Sequence, residues 1–528
     1  MDCEINVDSI RALEEQIREH ESTVIKLKRA RNSLLNVSKL PPEILGNIFH
    51  WNLTLKGDFG GLDKRSHNFL VVCHHWFEVA SCTPELWSFR GNTPKDWARW
   101  CHLSRTAPLD LVFDCDDERY FNTTLRNVLQ DRATQDTIRS VHLTSISSSL
   151  LDSVIDVLAN NSEELRSNSV ESFVVRNSGH KPDGVNAFNF FVRRHFPKLR
   201  RLDLIDCEIG SWHRLASRTS TLTTLNLDFS LSSLTPTTSQ LRALLAYNPA
   251  LQRVALIKCA IPDDGASSFR VQLRHLKDLH LEGDLRNIIG LLHQLDHPRN
   301  MDNLSLTPCG CDLADISQIV GPYLRDHLQH RDGLQNGLNL SISPLYGIRH
   351  PCKIILRAGS AGGIDFFPPA RIDMDAFITI TVLLDERPRA DVLEGAALDL
   401  ITYTPQKEVV CIQVHNIHDL AATEDTFIQF PNLRTLSFDE ISLPTVFPVV
   451  DVKILPSLEH VLLKRIFVGC SDWTPLTTFL AHRASSGKRL DTLVLTNPPS
   501  MCPEVMEDIR STVRVLNLKI ARVHCALL

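Results

Sequence analysis

One short frame, apolar-x-x-apolar-x-apolar, returns eleven times along this chain and constrains its fold more than any other feature. It stands at Ile138-Val141-Leu143, Val170-Phe173-Val175, Leu199-Leu202-Leu204, Leu222-Leu225-Leu227, Leu251-Val254-Leu256, Leu276-Leu279-Leu281 and Met301-Leu304-Leu306. After a gap it resumes at Leu433-Leu436-Phe438, Leu458-Val461-Leu463, Leu490-Leu493-Leu495 and Val513-Leu516-Leu518. Starts within each run lie 23 to 32 residues apart. The last two apolar residues of each frame are two apart, which is the strand period. One such unit cannot cover its own apolar face, whereas units stacked at a fixed period share a continuous core. Residues 91–528 are therefore expected to form a repeat array of the α/β class with parallel strands.

Two repeats match a fuller leucine-rich pattern: LRRLDLIDCEI carries Cys207 and Ile209, and LQRVALIKCAI carries Cys259 and Ile261. The repeat from Met301 puts Cys309 at the same site. Proline precedes the first apolar residue by two at Pro197, Pro249, Pro431 and Pro456, where it ends the preceding helix and feeds the next strand. The region resembles a leucine-rich-repeat solenoid with parallel strands on its concave face. That resemblance gives the three cysteines a structural task in the turn leaving each strand. With Leu202 and Leu204 inward, Arg201 and Asp203 face the concave surface; the same alternation exposes Thr224, Asn226, Arg253, Asp278, His280 and His460. In the C-terminal run it also exposes Thr435, Ser437 and Val494. These residues form the expected target-binding face. Residues 307–431 are expected to hold degenerate repeats, with strands at Lys353–Leu356, Phe377–Leu383, Leu398–Tyr403 and Val409–Val414 on their content of β-formers.

Ahead of the repeats lies LPPEILGNIFHW, from Leu40 to Trp51, answered by VVCHHWFEVASCTPELW from Val71 to Trp87. Proline costs nothing in a helix's first turn, because those N–H groups lack intrahelical partners. Residues 38–90 resemble an F-box, a small all-α domain that binds the Skp adaptor and, through it, a cullin. The resemblance implies adaptor contacts from Leu40, Pro41, Ile44, Leu45, Ile48, Phe49, Val72, Cys73 and Trp76. The middle, Leu53 to Phe69, departs from the family pattern: it is longer and carries Gly57, Gly60 and Gly61. Residues 1–37 hold a heptad seam of Ile10, Leu13, Ile17, Val24, Leu27 and Leu34, interrupted by His20 and Arg31. That helix either pairs with a second copy as a coiled coil, giving a homodimer, or lies against the F-box.

The chain of 528 residues is 43% hydrophobic and 22% charged, ordinary values for folded protein. A formal charge of −6 argues against a general nucleic-acid binder. No secretory signal and no membrane-length apolar run is evident, so the expected location is intracellular, in cytoplasm or nucleus. No cofactor is expected, and no metal: Cys309-Gly310-Cys311 lacks a second pair, and Cys73-His74-His75 cannot converge on one ion. No nucleophile elbow, zinc-protease motif or dinucleotide fingerprint occurs. The C-terminal Cys525-Ala526-Leu527-Leu528 fits a prenylation box, which would bring the chain to a membrane. Together these features point to a non-enzymatic substrate-recognition subunit of a Skp–cullin–F-box ubiquitin ligase that holds an unidentified protein target. The alternative is a protein-interaction scaffold with a vestigial F-box.

Overall fold

Each of the eleven frames becomes a strand in the computed structural model. It describes residues 7–54, 64–90, 102–114, 137–144, 151, 170–177, 185–186, 196–209, 211–230, 235–259, 270–296, 301–309, 315–329, 338–345, 352–360, 376–384, 390–415, 427–442, 455–467, 473–498 and 501–519. The chain divides into two compact units, Met1–Ser211 and Trp212–Leu528. This division falls within the repeats and not at their start.

The first unit opens with helices α1 (Val7–Ser33), α2 (Pro42–Thr54) and α3 (His74–Ser81). Pro42 begins α2, and the carbonyl of Pro41 accepts from the N–H groups of Ile44 and Leu45. A small core of Leu45, Phe49, Phe69, Val79, Leu86 and Trp87 holds the second and third helices together. The rings of Phe49 and Phe69 stack at 4.7 Å, and the buried Trp87 indole donates to the Ala80 carbonyl at 2.7 Å. Then come β1 (Phe89–Arg90), β2 (Leu109–Asp114), β3 (Ile138–Thr144), β4 (Ser172–Arg176) and β5 (Arg201–Ile205), paired parallel in chain order.

In the second unit β6 (Thr224–Asp228), β7 (Arg253–Ile257), β8 (Asp278–Asp284) and β9 (Asn303–Cys309) continue the same parallel pattern. Helices α4 (Trp212–Arg218), α5 (Thr238–Ala246) and α6 (Leu285–Gln294) lie between strands in the sequence. Thr237 and Gln240 close a capping box on α5, and Asp284 caps α6 through the N–H groups of Arg286 and Asn287.

Residues 307–431 depart from the expected row of degenerate repeats. Strands β10 (Leu338–Leu345), β11 (Cys352–Ser360) and β12 (Ala376–Leu384) form an antiparallel trio, and β9 pairs with β12 rather than β10. β10 then pairs parallel with β13 (Val409–His415), so the spatial order is β9-β12-β11-β10-β13. The chain crosses to β10 by way of helix α7 (Gly321–Gln329), which packs so closely on Tyr403 that a Cβ at Gly321 would lie 2.6 Å from the ring. The strand expected at Leu398–Tyr403 is instead the end of helix α8 (Ala390–Thr402). Its Leu393, Ala397, Leu400 and Ile401 are fully buried at helical spacing, and this longer period overrides the local β-formers. Parallel order resumes through β14 (Thr435–Ser442), β15 (His460–Phe467), β16 (Thr492–Thr496) and β17 (Val515–Lys519), with α9 (Thr474–Ser485) and α10 (Pro503–Thr512) between the last three.

The turns repeat as faithfully as the strands. Carbonyls of Phe196, Thr219, Asn248, Leu273, Phe430 and Leu455 each accept from the N–H of the frame's first leucine three residues on. Proline occupies the second position of four of these turns, where its fixed φ is favourable. Two residues beyond the frame's last apolar residue, Asp206, Lys258, Arg465 and Asn497 adopt the left-handed region at φ of 55, 49, 47 and 51°. Gly283 takes the equivalent place at φ 155°. The frame's apolar pair is buried in every strand but β17, where Leu516 is half-buried and Leu518 exposed.

Arg483 of α9 is almost wholly buried, donating to the carbonyls of Leu455, Leu458 and Lys488 at 2.9, 2.7 and 3.2 Å. It ties the helix to the turn that launches β15. Replacing it with methionine would leave buried carbonyls short of donors, at a cost of about 2–4 kcal/mol. Arg483→Met is expected to lose hydrogen-exchange protection at the β15 and β16 amides; unchanged protection there would contradict this role.

Candidate functional site

Two kinds of surface carry the sequence-predicted residues: the exposed side of the N-terminal helices, and the strand faces opposite the leucines. On α2, side chains at i and i+4 share a face, so the one helix divides cleanly. Leu45 and Phe49 point into the module's own core and are not available to a partner, which corrects the expectation that both make direct contacts. Their neighbours Ile44 and Ile48 are 46% and 45% exposed, and Trp51 extends the same apolar row. Val71 and Val72, just before α3, are also exposed. Leu40, Cys73 and Trp76 are half-buried and Pro41 is exposed, with the Trp76 ring 5.1 Å from Phe49. Apolar side chains left in water beside a filled core make this face a candidate docking surface. Trp51 and Val71 were missed in the sequence; the i, i+4, i+7 spacing of Ile44, Ile48 and Trp51 was the available signal.

On the strand face of the first unit, register sets Asp110, Ser140, Ser172 and Arg201 in one row and Val112, His142, Val174 and Asp203 in the next. Arg139 grips the Asp110 carboxylate with two donors, and Ser140 donates to it at 2.6 Å. Arg201 holds one oxygen of Asp203 at 2.6 Å, while the other oxygen is buried without a hydrogen-bond donor. Asp203 is only 3% exposed, so it does not offer the open carboxylate that simple alternation implied. Burial, then the nearby Arg201 guanidinium, pushes His142 down to about 4, so its imidazole is neutral at physiological pH. Asp110, Ser140 and His142 were not among the sequence candidates: β2 lacks the full frame, whereas the alternation around Val141 and Leu143 was the available signal for Ser140 and His142.

In the second unit Thr224, Arg253, Asp278 and Asn303 form one row, and Asn226, Ala255, His280 and Ser305 the next. Arg253 and Asp278 approach at 3.8 Å, both largely solvated, and burial lowers the pKa of His280. These residues do share a face, as expected. His460 does not join them: it lies on β15 between Thr435 and Thr492. Seven strand spacings separate it from His280, about 34 Å at ~4.8 Å per strand. Thr435, Ser437 and Val494 are buried rather than open. Beside them Asp439 binds Arg465 at 2.7 Å and faces His415 at 3.4 Å. Burial alone would raise the Asp439 pKa, but those two partners overcome it and hold the carboxyl well below the usual carboxylate range.

No family model matches the chain, and no curated protein does. Among solved structures it is similar to the crystal structure of a TLR13–ssRNA13 complex, with 12% identity and a TM-score of 0.28. That similarity covers 81% of this chain and 51% of the other, so the chain spans about half the length of that solved protein. At such a score the likeness carries no argument, and the parallel α/β architecture stands on its own strand register.

The three repeat cysteines take the places their spacing implied. Cys207, Cys259 and Cys309 each direct Sγ at the carbonyl two residues back, at 3.3, 3.8 and 3.7 Å. Burial pushes the Cys207 and Cys259 thiols up to about 12, so both stay protonated and weakly nucleophilic at neutral pH. Among the described residues no three His, Cys, Asp or Glu side chains gather to hold a metal, and no helix is long and apolar enough to cross a membrane. Cys525 and residues 55–63 of the long middle segment lie outside the described residues.

His142 binds a proton more weakly folded than unfolded. Its contribution to stability is therefore complete above its unfolded pKa, near 6.5, and is lost as pH falls toward 4. The full difference is about 3 kcal/mol at 1.36 kcal/mol per pKa unit. Thermal unfolding followed from pH 7 to pH 4 is expected to show a smaller loss of stability in His142→Gln than in the parent. Equal losses would contradict the buried, neutral imidazole.

Proposed function

We propose that this chain is the substrate-recognition subunit of a Skp–cullin–F-box type ubiquitin ligase, with an F-box in residues 38–90 and a leucine-rich-repeat-type domain after it. The observation that carries this is the split of α2: Leu45 and Phe49 close the module's core while Ile44, Ile48 and Trp51 are exposed, as is Val72 ahead of the next helix. A domain that builds its own core and still leaves such a row uncovered has an apolar partner, and the motif's resemblance names the adaptor. The role is non-enzymatic: the repeats would hold a target while a bound cullin brings ubiquitin to its lysines by proximity. On this view the protein works in the cytoplasm, the nucleus or both.

The solvated row Arg253, Asp278, Asn303 with His280 and Ser305 is the part of the repeat face best suited to hold a protein segment. It mixes both charge signs with amides and hydroxyls, whereas a polyanion would need a positive stripe. Asp203, Thr435 and Ser437, being buried, are left to support the strands.

Ile44→Asp with Ile48→Asp tests the proposal. Both residues are exposed, so the variant is expected to keep the parent's helical content and thermal midpoint and to lose co-purification with a Skp adaptor by at least tenfold. Failure of the parent chain to capture the adaptor would instead favour the scaffold with a vestigial F-box. The long, glycine-bearing middle from Leu53 to Phe69 gives that second reading its physical basis.

A further inference from the structure

Helix α1 is 27 residues long, and apart from Asn32 its described side chains are all exposed. Its seam residues Ile10, Leu13, Ile17, Val24, Leu27 and Leu34 are 46–77% exposed. Isolated helices draw little stability from propensity alone, and most depend on packing an apolar face. The seam keeps a heptad period with Ile10, Ile17, Val24 and Arg31 at a, and Leu13, His20, Leu27 and Leu34 at d.

Charge along α1 is segregated. Residues 9–21 carry four carboxylates and two guanidiniums, while residues 24–31 carry four cations and no acid. We infer that α1 pairs with α1 of a second copy of this chain as an antiparallel two-stranded coiled coil centred near Ser22. This inference is independent of the ubiquitin-ligase proposal.

Seam and flanks both select that orientation. In a parallel pair Arg31 would face the partner's Arg31 and His20 the partner's His20, setting like groups together in the seam. A parallel pair would also bring Gln16 to the partner's Glu21 and Thr23 to the partner's Lys28, with no ion pair formed. In the antiparallel register Ile10 meets the partner's Leu34, and Ile17 meets the partner's Leu27. His20 then rests on the partner's Val24, and Arg31 lies over the partner's Leu13, at the edge of the acidic half. Glu14 comes beside the partner's Lys28, and symmetry repeats that pair. Against these, the register makes one like-charge contact, Glu21 near its own copy at the dyad.

The full-length chain is expected to be a dimer by light scattering at micromolar concentration. Ile17→Asp with Leu27→Asp would convert it to monomer without changing its thermal midpoint, since neither residue touches a core. Orientation is read by mixing Ile10→Cys protein with Leu34→Cys protein under mild oxidation and mapping disulfides by mass spectrometry. The expected product joins position 10 of one copy to position 34 of the other, with no 10-to-10 product, because those positions lie about 36 Å apart at 1.5 Å per residue. A 10-to-10 disulfide would overturn the antiparallel arrangement. A monomeric parent, or a dimer indifferent to the double aspartate variant, would overturn pairing through α1 and assign the seam to another protein.

Discussion

Parallel strands held in register force a decision at every repeat: one side of the ladder must be dry. The frame meets it with two apolar residues, two apart, which the pleat directs to the same face. From β3 to β5 in the first unit, and from β6 to β9 and β13 to β16 in the second, the frame's apolar pairs are buried, with Leu202, Leu225, Leu279 and Leu493 among residues that are 1% exposed or less. Chain direction, turn geometry and the placement of the polar rows all follow from this one requirement. A one-residue slip in any strand would send its leucines to the polar face.

The turns must then return the chain to the same starting height each time. A tight turn closed by the first leucine's own N–H begins six of the strands, and a left-handed residue stands two places beyond the last frame residue of four strands. Asp206, Lys258, Arg465 and Asn497 accept that conformation despite their Cβ atoms, at a cost of roughly 1 kcal/mol or more each. At Asp206, Lys258 and Arg465 the residue that follows, Cys207, Cys259 or Ile466, is buried and holds them there. At Pro308 the left-handed region is closed by the ring, and β9 accordingly runs on to Cys309.

All eleven frame strands were legible because leucine spacing reports burial directly. The antiparallel trio was less so. β10 was not among the expected strands although Leu338, Leu340 and Ile342 alternate there, and nothing local says that β9 will choose β12 as its neighbour. Pro344 shows how long-range order stays hidden: it is tolerated in β10 because pairing with β13 stops at Ile342. The site was half legible for the same reason. Period-two alternation assigns Asp203 and Thr435 to the polar face correctly, but which parts of that face are covered is decided by distant segments. On α2, the motif did not separate core residues from surface ones. Leu45 and Phe49 serve the fold, and Ile44 and Ile48 are free for a partner.

Strand order through the trio is the point on which the architecture is most exposed to test. In the register described, Ser305 on β9 lies opposite Thr379 on β12, within the Cα separation a disulfide spans. Cysteines placed at 305 and 379 are predicted to oxidise to one intramolecular bond, identified by peptide mapping. Cysteines at 305 and 341 should not join, since β10 lies three strands from β9. If the 305–341 pair forms and the 305–379 pair does not, the strands stack in chain order and the account of this fold is wrong.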